Sequence, residues 1–67
     1  MIELTVNGEP VSLDGPVTIA DFLASRGIHT QMVVVERNGE IVPRPEFTEV
    51  VLKPGDRLEI VQMMAGG

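Results

Sequence analysis

Two Asn-Gly dipeptides, Asn7-Gly8 and Asn38-Gly39, constrain this chain more than any other feature. A two-residue hairpin turn of type I′ needs positive φ at both central positions, and Asn followed by Gly meets that need at least cost. Each pair sits between apolar runs with strand character. Before the first, Ile2, Leu4 and Val6 alternate with Glu3 and Thr5, the pattern of a half-buried strand. Its return strand carries Val11 and Leu13 before Asp14-Gly15-Pro16 breaks it. Ahead of the second pair, Val33 to Arg37 is rich in β-branched residues, and Glu40-Ile41-Val42 returns from the turn. Pro43 and Pro45 end that strand, because proline cannot donate to a ladder.

A short helix with both ends marked lies between the hairpins. Thr18 reads as N-cap, with Asp21 in the place of a capping-box acid and Val17 and Phe22 spaced as a hydrophobic staple. Ile19, Phe22 and Leu23 form the buried stripe. Gly27 supplies the left-handed residue past the end, with Ile28 closing onto Leu23. Beyond Pro45, Glu46 to Leu52 reads as a turn near Phe47 and then a brief extended stretch through Val51. Lys53-Pro54-Gly55-Asp56 has proline and glycine where a type II turn wants them. Leu58 and Ile60 then alternate with Arg57 and Glu59 in a last strand running toward Met64. The expectation is an α+β domain over residues 1–64, one mixed sheet of four to five strands with one helix packed across it. Residues 65–67 form a flexible tail.

Sixty-seven residues make one small domain, too short for a deep cleft lined by several elements. Phe22 and Phe47 are the only aromatic residues, so the core is aliphatic. Cysteine is absent, which removes disulfides and thiolate zinc sites. Ten acidic against five basic residues give a net charge of −5, which disfavours nucleic acid as a partner. No signal peptide and no apolar run long enough to span a membrane is present, so a cytoplasmic protein is expected.

Catalytic constellations are missing. The single histidine, His29, lies beside a helix end with no second ligand nearby, and no metal site is expected. Ser12 and Ser25 lack a base, and the internal glycines punctuate turns rather than cradle phosphate. The remaining distinctive feature is Ala65-Gly66-Gly67. A terminal carboxylate, with a pKa of roughly 3.3–3.7, is ionised at neutral pH and can attack the α-phosphorus of ATP. Glycine has no Cβ, so such a tail can thread a narrow channel and leave its carbonyl open to a sulfur or amine nucleophile.

Asn38-Gly39-Glu40-Ile41-Val42-Pro43-Arg44, Leu52, Gly55-Asp56, Glu59-Ile60-Val61 and the closing Ala65-Gly66-Gly67 together resemble the sulfur carrier proteins of thiamine biosynthesis, the ubiquitin-like ThiS family. The resemblance covers essentially the whole chain. It implies a β-grasp fold and a carrier that binds no cofactor itself and is not an enzyme. It further implies that Gly67 is adenylated by an ATP-dependent activating enzyme, with Gly66 and Ala65 threading the channel. Sulfur from a donor such as a cysteine desulfurase then converts the terminus to a thiocarboxylate, which serves thiazole synthase. Gln62-Met63-Met64 contains no aromatic residue, whereas relatives often place bulky residues there.

Docking is expected on the sheet face opposite the helix. With Leu58 and Ile60 inward, Val61 and Met63 point outward by alternation, joined by Val34 if Val33 and Val35 face the helix. A free monomer suits a shuttle between enzymes. Three other readings share the fold: the small subunit of molybdopterin synthase, a ubiquitin-like modifier joined to lysine, and a non-covalent β-grasp binding module.

Overall fold

The computed structural model describes residues 1–63. The expected domain limit at residue 64 and the tail Ala65-Gly66-Gly67 lie outside the described residues. The elements run β1 (Ile2–Val6), β2 (Glu9–Leu13), α1 (Ile19–Ser25), β3 (Val33–Arg37), β4 (Glu40–Val42) and β5 (Arg57–Gln62), with 3₁₀ turns at Thr30–Met32 and Arg44–Glu46.

Both Asn-Gly pairs form the turns their chemistry favours. Asn7 and Gly8 have φ of 51° and 83°, and Asn38 and Gly39 have 52° and 88°. Each turn closes a two-residue hairpin, pairing Val6 with Glu9 and Arg37 with Glu40. The sheet order is β2-β1-β5-β3-β4. β5 therefore occupies the centre, parallel to β1 and antiparallel to β3. One parallel pairing among antiparallel ones makes the sheet mixed.

Helix α1 is closed at both ends as its sequence dictates. Thr18 accepts a 3.0 Å hydrogen bond from the Asp21 amide through its hydroxyl. At the other end Gly27, at φ 71°, lets its own amide donate to Ala24 and that of Ile28 to Leu23, the Schellman pair. Arg26 lies over the Phe22 ring, 5.0 Å from its centroid.

The turn expected near Phe47 is present at 47–49, and the extended stretch after it is shorter than a strand. Val51 contributes only an isolated bridge to Thr18. Its backbone has another task. Carbonyls of Val50 and Phe47 accept from the Ile19 and Ala20 amides at 3.0 and 2.9 Å. These are first-turn N–H groups with no partner inside a helix, so the segment completes the cap that Thr18 begins. Phe47 is buried beside them.

The core lies between sheet and helix. Ile2, Leu4, Val33, Val35, Leu58 and Ile60 from the strands meet Ile19, Phe22 and Leu23 of α1, and Phe47 and Leu52 close the open end. Burying an aliphatic or phenyl side chain contributes about 1.5–3 kcal/mol before ordering costs, so this set of residues is what holds so short a chain folded.

Candidate functional site

Strand β5 leads toward the C-terminal residues and is held from both sides. From β1, Thr5 and Asn7 donate backbone N–H bonds to Asp56 and Leu58 at 2.9 Å each. β1 ends at Val6, yet the ladder continues through the Asn7 side chain. Its Oδ1 accepts from the Ile60 amide at 2.7 Å and its Nδ2 donates to the Ile60 carbonyl at 3.2 Å. Asn38 does related work at the other end of β5, accepting from the Arg57 amide at 2.9 Å. On the β3 side Val33 pairs with Gln62 in regular register, and the Met63 amide donates to Met32 at 2.7 Å.

Asp56 anchors the start of β5. Its Oδ2 accepts from Arg37 Nε at 2.9 Å and from the Lys53 amide at 2.8 Å, while Oδ1 accepts from Asn38 Nδ2 at 3.2 Å. Burial by itself pushes this carboxyl upward. The Lys53 amide, the Arg37 guanidinium and the Asn38 amide outweigh it and hold the acid below the ordinary 3.8.

The sheet face opposite α1 follows from register. Cross-strand partners share a face. Val34 stands opposite Val61, and Glu36 lies between Glu59 on β5 and Ile41 on β4. Val61 is 60% exposed and Met63 46%, while Val34 is half-buried between its neighbours. Ile41, 66% exposed, joins this apolar surface. It was not among the docking residues read from sequence, although counting back across the two-residue turn places it beside Glu36. His29 is exposed at the start of a 3₁₀ turn. Among the described residues no group of His, Asp and Glu side chains is arranged to hold a metal ion, and no helix is long and apolar enough to cross a membrane. Ala65, Gly66 and Gly67 lie outside the described residues.

The family model named ThiS family matches residues 4–67. This chain belongs to the ThiS family. The sulfur carrier protein ThiS of Bacillus subtilis (strain 168) is 40% identical over 65 residues, covering 96% of this chain and 98% of that protein. A crystal structure of the thiamine biosynthesis protein ThiS from Geobacter metallireducens superposes with a TM-score of 0.84 at 35% identity, covering 98% of this chain and all of the other. The five-stranded mixed sheet with one helix is thus the β-grasp, ubiquitin-like fold expected for a ThiS protein. A thiazole synthase of Paramagnetospirillum magneticum is 38% identical over 66 residues. The chain spans only a fifth of that protein's length, although the match takes in 98% of this chain.

Proposed function

We infer that this ThiS-family chain is a sulfur carrier of thiamine biosynthesis, working through the carboxylate of Gly67. The observation that carries the reading is the match to the Bacillus subtilis carrier, 40% identical over 96% of this chain and 98% of that protein. The thiazole synthase that contains a ThiS-like unit supports thiazole synthase as the recipient of the sulfur.

The chemistry follows from the terminus. A Gly67 carboxylate oxygen attacks the α-phosphorus of ATP on an adenylating enzyme, and pyrophosphate leaves. The outer sulfur of a donor persulfide, such as a cysteine desulfurase supplies, adds to the acyl carbon and AMP departs. A thiol then attacks the resulting acyl disulfide, leaving as a mixed disulfide with the donor and freeing the thiocarboxylate. The resulting thiocarboxylate is a softer nucleophile than the carboxylate and attacks the precursor bound to thiazole synthase. Gly66 and Ala65 give the terminus the slimness to enter its partners' channels. The carrier binds no cofactor, acts in the cytoplasm as a monomer when free, and is a protein co-substrate rather than an enzyme.

The outer face of β3, β4 and β5 is the docking surface, with Val34, Val61 and Met63 at its centre and Ile41 beside them. Exposed apolar side chains gathered on one face mark partner sites. Val61→Asp leaves stability within about 0.5 kcal/mol of wild type, as expected for an exposed position, and weakens binding to the adenylating enzyme. Unchanged affinity would remove this face from the mechanism.

Intact mass spectrometry after incubation with host extract, ATP and a sulfur donor tests the carrier reading. The expected product gains the mass of one oxygen replaced by sulfur, located on Gly67 and lost when Gly67 is deleted. An unmodified chain, in an extract that loads an authentic carrier, overturns it.

A further inference from the structure

The docking face contains a defect. Glu36 and Glu59 stand directly opposite each other on β3 and β5, in the same register that pairs Val34 with Val61. Side chains so placed have Cβ atoms roughly 4.5–5.5 Å apart, and like charges there repel. The only ion pair among the described residues is Arg37 with Asp56, so neither glutamate has a salt-bridge partner there. Arg57, two residues before Glu59 on the same face, bonds to neither. Apolar side chains flank the two carboxylates on one side, with Ile41 beyond Glu36 and Val34, Val61 and Met63 further along the strands, while Arg57 and Asn38 lie on the other.

Resting on the carrier reading above, we propose that this face receives an arginine of thiazole synthase, its guanidinium seated between Glu36 and Glu59 and apolar neighbours covering Val61 and Met63. A planar guanidinium offers donors to two carboxylates at once, which a single ammonium does less well. The flanking apolar groups exclude water as the surfaces close, strengthening the charged hydrogen bonds. Charge complementarity also selects against other occupants. A second copy of this chain would set four carboxylates together, and an anionic lipid surface or nucleic acid would be repelled.

The experiment compares wild type with the Glu36→Gln, Glu59→Gln double variant, titrated into purified thiazole synthase of the same host at low and high salt. The variant binds roughly tenfold more weakly at low salt, the scale of losing charge-assisted hydrogen bonds. Its affinity also varies less with salt than that of wild type. Its thermal midpoint equals or exceeds that of wild type, because neutralising the pair relieves repulsion within the sheet. Equal affinity and equal salt dependence in the two proteins would overturn the proposal. So would wild-type self-association through this face, seen by sedimentation and competing with thiazole synthase. Gly67 loading, followed by mass, separates the two levels. A wild type that is loaded, with a variant that binds equally well, removes only the arginine contact. A wild type that is never loaded removes the carrier reading with it.

Discussion

The two hairpins of this protein use the same two residues for the same turn and then diverge. Asn7 and Asn38 differ by one degree in φ, and each is followed by a left-handed glycine. Their side chains nevertheless do different work on β5. Asn7 takes both backbone groups of Ile60 and so replaces a rung that β1 is too short to provide. Asn38 divides its amide between the Arg57 backbone and the Asp56 carboxylate, joining a charged network. The turn is a local property, set by which residues tolerate positive φ. The side chain's partner is set by which part of β5 passes beside the turn, and that is decided by the whole sheet.

The largest effect that separates the two ends of β5 comes from Asp56. Asp56→Ala orphans the Lys53 amide and Asn38 Nδ2 and leaves Arg37 without its anion, and should cost about 2–3 kcal/mol in urea unfolding at neutral pH. The same network has a pH signature. Because the folded pKa of Asp56 is depressed, its contribution is fully present above the ordinary 3.8 and is lost as pH falls through the folded value. Asp56→Asn should flatten that part of the acid limb, whereas Asn7→Gly should retain it. An acid limb of equal slope in all three proteins would show that Asp56 is not the group responsible.

Asn7→Gly comes next, since it keeps the turn's backbone and removes only the amide. The expected loss is about 1–2 kcal/mol. It should be accompanied by faster hydrogen exchange at the Ile60 amide and little change at Asn7's own bond to Leu58. Uniform acceleration along β5 would mean that the rung is not local. The smallest contrast is between Gly8→Ala and Gly39→Ala. A Cβ at either position meets nothing within 4 Å, so only the left-handed backbone penalty of about 1–2 kcal/mol applies, and the two should agree. A clear inequality would show that the turns differ in more than their side chains.

These contrasts explain what could be read before the fold was known. Turns, caps and the inner faces of β1, β3 and β5 are written in short-range chemistry, and residues such as Thr18, Gly27, Leu58 and Ile60 stand where that chemistry puts them. The parallel pairing of β1 with β5 joins residues far apart in the chain, which no local pattern reports. The role of Glu46 to Leu52 as a cap on α1 was hidden for a related reason. Its Phe47 and Val50 carbonyls serve α1 rather than a neighbouring strand, so it follows neither helical nor strand periodicity. The opposition of Glu36 and Glu59 likewise becomes visible only when β3 and β5 are placed side by side.

The central place of β5 has a consequence for how the molecule comes into being. Each hairpin can close alone as it leaves the ribosome, but two-stranded ribbons are at best marginally stable in water. No strand pairing joins β1–β2 to β3–β4 until β5 inserts between them, and before that α1 alone links their inner faces. The sheet is therefore completed by a single strand, β5, the one that leads toward the C-terminal residues. Damage within β5 would take away the fold and the proposed carrier role together, leaving no folded but inactive chain to occupy the proposed partners.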